Sequence, residues 1–229
     1  HNIPPMKRLI LFELIIIFLA TTFESDSPPG WFQQVLPVND QITDIYFADS
    51  LNGWITTRKA VNDTARILHT IDGGNNWVIQ HQQVVYFTAI QFLDLNTGYS
   101  CAGTGGGSMF KTTNGGQNWS VINSSFSSAL FDLFFVNKDT GWTCSPLGFG
   151  GLYKTTTGGA SWQSQLGASF SIRKLFFINK DTGWAGSDDW KLYKTTNGGQ
   201  VWNLQYTSNG AVESIFFKKK KKGWIRGGT

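Results

Sequence analysis

Apolar segments recur along the chain at intervals of about forty residues, and each of them predicts a β-strand. They occupy residues 43–48, 88–93, 131–136, 174–178 and 213–217. In the later segments, such as 133–136 and 175–178, residues on both faces are apolar, which is typical of a strand that is covered on both sides. No segment beyond residue 22 has the periodicity of a helix. The pattern therefore predicts an all-β protein.

Two polar phrases separate these strands at a regular period. One reads HTIDGGNNW at 69–77 and returns as KTTNGGQNW, KTTTGGASW and KTTNGGQVW. Its tryptophans, at positions 77, 119, 162 and 202, are 42, 43 and 40 residues apart. The other phrase is a glycine followed by an aromatic residue, at Gly53-Trp54, Gly98-Tyr99, Gly141-Trp142, Gly183-Trp184 and Gly223-Trp224. Each unit then holds four short antiparallel strands, which is the size of one β-propeller blade.

The units predict a β-propeller of four full blades and two partial ones, spanning residues 31–229. At the start, segment 31–36 resembles a fourth strand without its first three. At the end, the unit that begins at Val212 stops at Thr229, before its third strand. We therefore expect a fragment of a ring of about six to eight blades.

The first residues predict a secretory signal peptide over 1–22. A basic start at Met6, Lys7 and Arg8 is followed by an apolar stretch, 9–20, and then by small residues. That stretch is 12 residues long, too short to span a bilayer. We expect residues 1–5 to be non-native and 23–30 to be a linker. The protein is then exported, either secreted or in the periplasm or cell envelope, with no stable membrane span once the signal is removed.

The composition narrows the classes of partner. Aromatic residues make up 15% of the chain and glycines number 26, which fits many short strands rather than disorder. The net charge of +4 depends on the five lysines at 218–222, since the remaining 14 basic residues balance 15 acidic ones. A nucleic-acid interface needs basic residues spread over a surface, so no nucleic acid is predicted as a partner.

The two cysteines, Cys101 and Cys144, lie at equivalent positions in neighbouring units. Equivalent positions in adjacent repeats are usually too far apart for a disulfide, whose Cα atoms lie within about 7 Å of each other. We expect two small buried thiols.

The repeated turn has the form Thr-x-Asp-x-Gly-x-x-Trp, and its chemistry is structural. A short acceptor side chain binds backbone N–H groups of the turn, glycine supplies positive φ, and tryptophan anchors the outer strand. The residues assigned this structural role are Thr70, Asp72, Gly74, Trp77, Asn114, Gly116, Trp119, Gly159, Trp162, Asn197, Gly199 and Trp202.

This turn resembles the Asp-box (BNR) repeat. Paired with the Gly-aromatic phrase, it is most similar to the propellers of photosystem II stability and assembly factor-like proteins, over residues 31–229. Similar repeats occur in sialidases, xyloglucan-cleaving glycosidases and sortilin-type receptors. The resemblance implies a β-propeller with a protein-binding or scaffold role, and no photosynthetic role. Likeness of fold is weak evidence for function.

A catalytic site is not supported by the residues present. A sialidase-like site implies three arginines, a tyrosine with a glutamate partner, and an aspartate. After the signal, the arginines are Arg58, Arg66, Arg173 and Arg226, and the glutamates are Glu24 and Glu213. Asp188 and Asp189 are adjacent, so on a strand they point to opposite faces. The histidines and cysteines have no metal-binding spacing, and no cofactor is predicted. The sequence argues against catalysis without excluding it.

A ligand is expected on one face of the array. The repeated turns crowd one face, whereas the loops between second and third strands, 58–64, 103–108, 146–151 and 187–191, vary and lie on the other. Variable loops on a rigid scaffold are where binding usually resides. Trp190 is the single tryptophan outside the repeat positions, and Asp188 and Asp189 flank it. We assign these three residues, with Arg58 and Lys59, as binding candidates, although packing of Trp190 and solvated charges at the others are equally compatible with the sequence.

Two functions remain open at this point. The first is an exported, non-enzymatic β-propeller that binds a protein or a cell-surface glycan. The alternative is a fragment of an Asp-box glycoside hydrolase of the sialidase or xyloglucanase kind.

Overall fold

All regular secondary structure in the described part of the chain is β-strand. The computed structural model describes residues 33–59, 64–103, 106–145, 151–166, 170–219 and 222–227. These ranges hold 18 strands and no helix. The predicted signal peptide and linker, 1–22 and 23–30, lie outside the described residues and stay predictions. Residues 220 and 221 of the lysine run also lie outside the described ranges.

The strands form four antiparallel sheets of four strands, each in sequence order, and one sheet of two strands. Blade 1 holds β1 (Gln41–Phe47), β2 (Gly53–Arg58), β3 (Ala65–Thr70) and β4 (Val78–Gln83). Blade 2 holds β5 (Phe87–Phe92), β6 (Gly98–Gly103), β7 (Gly107–Thr112) and β8 (Ser120–Phe126). Blade 3 holds β9 (Asp132–Phe135), β10 (Gly141–Ser145), β11 (Gly151–Thr155) and β12 (Gln163–Leu166). Blade 4 holds β13 (Ile172–Phe177), β14 (Gly183–Ser187), β15 (Lys191–Thr195) and β16 (Asn203–Thr207). Blade 5 holds β17 (Val212–Lys219) and β18 (Lys222–Gly227).

The first strands of successive blades lie next to one another. β1 contacts β5, β5 contacts β9, β9 contacts β13, and β13 contacts β17. We call these five the inner strands. Four complete blades followed by an incomplete one confirm the predicted all-β propeller class.

The start of the array differs from the expected outer strand at 31–36. Of that segment, the described residues 33–36 carry no strand. Leu36 and Val38 instead pack on Ile55, Leu68 and Trp77 of blade 1. Their apolar side chains cover the side of blade 1 that faces away from blade 2, so they are partly buried without pairing to a sheet edge in the described residues.

One phenylalanine joins each blade to the preceding one. The aromatic ring of the Gly-aromatic phrase stacks face-on against the phenylalanine at or near the end of the next inner strand, with ring centroids 3.6–3.7 Å apart. The stacked pairs are Trp54 with Phe92, Tyr99 with Phe135, Trp142 with Phe177, and Trp184 with Phe217. In three of these junctions the tryptophan after the repeated turn, Trp119, Trp162 or Trp202, meets the same phenylalanine edge-on. Such rings bury large apolar areas and fix the blade spacing.

The glycine of the Gly-aromatic phrase is required by this junction. Phe92 lies directly across from Gly98 in the sheet. A Cβ atom on Gly98 would lie 2.7 Å from the Phe92 ring, too close for any other residue. The Phe92 ring therefore covers Gly98 on one side. On its other side it stacks on Trp54, which has the same position in blade 1 as Tyr99 has in blade 2.

The four repeated turns share one hydrogen-bond network. The threonine Oγ1 atoms of Thr70, Thr112, Thr155 and Thr195 accept hydrogen bonds of 2.8–3.0 Å from the N–H groups of Gly74, Gly116, Gly159 and Gly199. The side-chain oxygens of Asp72, Asn114, Thr157 and Asn197 accept an N–H from four residues later, at 2.9–3.0 Å. Both glycines of every turn have φ between 65° and 95°, which a Cβ atom disfavours. The hydrogen bonds and glycines of the four turns thus serve a structural role.

We expect Phe177→Ala to cost about 3–5 kcal/mol of stability, because it removes a buried ring that is stacked on Trp142. Phe47→Ala is the matched control. Phe47 has the same position in blade 1, but it is 40% exposed and no described ring stacks face-on against it. Its loss should cost about 1–2 kcal/mol. Denaturant unfolding measures both values, and equal losses would show that the stack does not join the blades.

Candidate ligand-binding site

The inner strands begin around a concave site, which we call the mouth. It consists of two adjoining cavities of about 280 and 560 Å³. The smaller one is lined from all five blades, by Gln41, Ile42, Thr43, Arg58, Thr88, Phe131, Arg173, Lys174 and Glu213. The larger one shares four of these residues and adds Asn39, Lys59, Tyr86, Gly103 and Ala129. The mouth lies on the face that bears the loops between second and third strands, where the sequence predicts a ligand.

Arg58 and Lys59, both candidates from the sequence, line the mouth at the end of β2. The Nε atom of Arg58 donates a 2.8 Å hydrogen bond to Oε1 of Gln41. Within the described ranges no carboxylate forms an ion pair with Arg58. Among the described residues, the Arg58 guanidinium is thus held by a neutral partner.

Arg173 lines the mouth from β13 and is held on two sides. Its Nε atom donates to Oδ1 of Asp188 at 2.5 Å. Its guanidinium carbon lies 5.5 Å from the ring centroid of Phe131. Asp188 is itself fixed, because Oδ2 accepts a 3.0 Å hydrogen bond from the Ser171 hydroxyl. Asp188 therefore positions Arg173, and each of its carboxylate oxygens already accepts one hydrogen bond from a protein group.

Asp189 and Trp190 complete the loop between β14 and β15. The Asp189 carboxylate accepts hydrogen bonds from the Ser187 hydroxyl and from Nζ of Lys191. Burial acts to raise the pKa of Asp189, but these two hydrogen bonds outweigh it and hold that pKa below its usual value. Trp190 is 52% exposed. In this loop, Asp188 and Asp189 thus pair with cations, whereas Trp190 presents an aromatic ring to solvent.

A second charged cluster lies behind the mouth. Oδ2 of Asp44 accepts a 2.9 Å hydrogen bond from the N–H of Ile90, in the next blade. Asp132 does the same for Leu175, also at 2.9 Å. Nζ of Lys174 lies 3.9 Å from Oδ1 of Asp132. The two carboxylates therefore link adjacent inner strands, and Lys174 partly neutralises them.

The surroundings change how these groups titrate. Burial raises the pKa of the Asp44 carboxyl to about 6, and the hydrogen bond from Ile90 opposes this only in part. Burial also raises the pKa of Asp132, while Lys174 acts to lower it. The negative charge of Asp132 in turn raises the pKa of Lys174.

The sequence analysis did not place four charged residues in one site: Arg173, Asp44, Asp132 and Lys174. The sequence signal for this site is visible when the repeats are aligned on the phenylalanine at or near the end of each inner strand. Four positions before it stand Thr43, Thr88, Phe131, Arg173 and Glu213. Three positions before it stand Asp44, Ala89, Asp132, Lys174 and Ser214. These two columns vary in charge and size within strands that otherwise repeat, and they form the mouth and its floor.

Both cysteines are free and buried. Burial raises the pKa of Cys101 to about 12 and that of Cys144 well above its usual value, so neither is a reactive thiolate. In the parts of the chain that are described, no three His, Cys, Asp or Glu side chains are grouped to hold a metal ion. The same parts contain no helix of the length and apolarity needed to cross a membrane.

Asp44→Asn should stabilise the protein near pH 7.5 by about 2 kcal/mol. The folded protein keeps a proton on Asp44 up to about pH 6, whereas the unfolded chain releases it near its ordinary pKa of 3.8. The free energy of unfolding therefore falls as the pH rises from about 4 to about 6, and the penalty is complete above that window. Asparagine still accepts the Ile90 N–H but never ionises.

Urea unfolding between pH 4 and pH 8 measures this effect. The free energy of unfolding should fall less between about pH 4 and about pH 6 in Asp44→Asn than in the wild-type protein. Asp49→Asn is the control of opposite sign. Hydrogen bonds from the N–H groups of Asn52 and Leu51 lower the pKa of this exposed carboxyl, so ionisation of Asp49 favours the folded state. That variant should gain nothing at pH 7.5. A loss of stability in Asp44→Asn at pH 7.5 would contradict our assignment.

Comparison with solved structures gives relatives of the fold. YCF48 bound to a D1 peptide aligns over 89% of this chain and 95% of its own, with a TM-score of 0.52 and 17% identity. A GH74 enzyme from Niastella koreensis aligns over 71% of this chain and 30% of its own (TM-score 0.56, 17% identity). The GH74 xyloglucanase from Xanthomonas campestris covers 75% and 32% (TM-score 0.60, 10% identity). No protein-family model and no curated protein matches the chain. At such identities the likeness establishes the fold alone, which is a β-propeller.

Proposed function

We propose that this protein is an exported, non-enzymatic β-propeller that binds a protein partner by taking an extended acidic segment into the mouth. The observation that carries this is the charge of the lining. Among the described lining residues, Arg58, Lys59, Arg173 and Lys174 are basic, and Glu213 alone is acidic. Asp188 and Asp132, beside the lining, partly neutralise Arg173 and Lys174, and the excess that remains is positive. A concave site with such an excess of one sign attracts ligands of the other.

The two arginines are suited to carboxylates. Guanidinium groups bind carboxylates through paired, charge-assisted hydrogen bonds. Arg58 uses Nε on Gln41, and Arg173 uses Nε on Asp188, so the contacts between described residues leave the terminal amino groups of both arginines for a ligand. Both lie on or beside strands of the rigid scaffold, which reduces the entropy lost on binding.

The comparisons and the sequence add support of a weaker kind. YCF48, which shares the fold over nearly its whole length, was solved with a bound peptide. The common hydrogen-bond network of the four turns is in keeping with an Asp-box propeller similar to photosystem II assembly factor-like proteins. Export rests on the signal peptide predicted at 1–22. A cell-surface glycan is the other partner class considered, but a neutral sugar would make no use of the basic lining.

A rhodamine-labelled hexaglutamate peptide tests the charge preference by fluorescence anisotropy at low salt. Hexaglutamate should bind, and hexalysine should not. Arg58→Glu and Arg173→Glu should each weaken binding by about 10- to 100-fold, because each removes a charge-assisted hydrogen bond and adds repulsion.

Lys138→Glu provides the matched control, since it makes the same charge change at an exposed residue in the β9–β10 turn, on the face of the repeated turns. It should alter binding less than threefold after correction for ionic strength. Equal losses in all three variants would mean that net charge, and not the mouth, binds the peptide. No binding of hexaglutamate by the wild-type protein would end the proposal.

The glycoside hydrolase alternative is favoured by one observation, the pair of inner-strand carboxylates with raised pKa values, Asp44 and Asp132. Glycosidases use such pairs, one as an acid. Each carboxylate is, however, bonded to the backbone of the next blade, as expected for a structural role. We expect no release of reducing sugar from xyloglucan or sialosides. Turnover that disappears in both Asp44→Asn and Asp132→Asn would favour the hydrolase.

A further inference from the structure

Trp190 occupies a position where the other repeats have a small residue. Counting back five residues from the turn threonine gives Ala65, Gly107, Gly150 and Trp190 in blades 1 to 4. Ala65 is fully buried, and a Cβ atom on Gly107 would lie 2.6 Å from the Leu130 side chain. An indole cannot be packed into such a place. Trp190 remains half-exposed instead, so the repeat itself does not require a large side chain there.

The Trp190 backbone is also strained. With φ of 68°, it is the single non-glycine residue of the described ranges in the left-handed region. Its carbonyl oxygen accepts hydrogen bonds from the N–H of Ser208 at 2.7 Å and from the Ser208 hydroxyl at 3.1 Å. Ser208 is buried, so the connection between blades 4 and 5 holds the strained conformation in place. Strain that is maintained in this way is typical of functional positions.

The strained loop adjoins the mouth through Asp188. Asp188, two residues before Trp190, binds Arg173, which lines the smaller cavity. The Asp188 N–H also donates a 2.9 Å hydrogen bond to the carbonyl of Ser171, beside the start of the inner strand β13. The same short loop therefore carries the support of a mouth arginine and an exposed aromatic ring whose backbone is fixed.

The chemistry of the loop favours a peptide over a sugar. A sugar stacked on an indole usually needs nearby carboxylates that accept hydrogen bonds from its hydroxyl groups. Asp188 already accepts from Arg173 and Ser171, and Asp189 accepts from Ser187 and Lys191. An apolar or aromatic side chain needs no such acceptors, and tryptophan is among the residues that contribute most to protein interfaces.

We propose that Trp190 is the apolar anchor of the site and binds a large hydrophobic side chain in the same acidic segment that the mouth arginines bind. The inference rests on the proposed function and adds a sequence requirement to it. The partner's segment carries an aromatic or large aliphatic residue among its acidic ones.

Two labelled peptides, Glu-Glu-Phe-Glu-Glu and Glu-Glu-Ala-Glu-Glu, test this with the complete chain. The wild-type protein should prefer the phenylalanine peptide by about tenfold. Trp190→Gly should bind both peptides with the affinity that the wild-type protein has for the alanine peptide. Its melting temperature should not fall, and we expect a rise of about 2 °C, because relief of the strain exceeds the entropy that glycine adds to the unfolded chain. Tyr206→Ala, which removes an equally exposed ring from β16 of the same blade, should keep the preference.

The outcomes separate the two proposals. If the wild-type protein binds neither peptide, the proposed function fails and this inference fails with it. If both peptides bind equally well, the acidic site stands and the anchor is wrong. A melting temperature that falls by more than about 5 °C in Trp190→Gly would make Trp190 a packing residue. If that variant instead loses binding of a xyloglucan oligosaccharide and keeps its preference between the peptides, the ring serves a glycan and the inference is overturned.

Discussion

The structure depends on one contact, the face-on stack between a phenylalanine and an aromatic ring of the preceding blade. It occurs at all four junctions with centroid distances of 3.6–3.7 Å. The phenylalanine ends an inner strand, lies over the glycine that starts the second strand, and in three junctions meets the outer-strand tryptophan edge-on. One ring therefore fixes three of the four strands of its own blade and the position of the neighbouring blade. This explains why the glycine and both aromatic positions recur together along the chain.

Because the junctions lie at one end of the inner strands, the other end can vary without weakening them. Three and four residues before the phenylalanine, the strands change from threonine or alanine to aspartate, arginine, lysine and glutamate. These residues meet at the mouth and its floor. A repeated scaffold thus holds an asymmetric site, and the asymmetry is confined to two columns of each inner strand and the loops beside them. Such a division between a constant frame and variable contact residues is common in repeat proteins that bind partners.

The sequence predicted the frame more fully than the site. The repeat period and the four complete blades follow from spacing and from strand alternation, which are local properties. The phenylalanine junction was missed because Phe92 or Phe177 is one apolar residue among many in a strand, and only the fold shows which ring stacks on it. Asp188 was predicted to bind a ligand, yet in the structure it holds Arg173, because the antiparallel pairing of β13 with β14 brings residues 15 positions apart together. Contacts across strands and across the mouth have no local signature in the sequence.

The buried acids behind the mouth explain which of its cations face a ligand. Asp44 and Asp132 bond to the backbone of the next blade, and their burial is unfavourable without a positive charge nearby. Lys174 provides that charge, and the negative field of Asp132 raises its pKa. Its ammonium is therefore committed to the floor. Arg173 is partly neutralised by Asp188, whereas Arg58 is held by a neutral glutamine. Of the two mouth arginines, Arg58 therefore has the less neutralised charge among the described residues. A site of this kind selects carboxylates by geometry as well as by charge, because the guanidinium fork matches two oxygens at once.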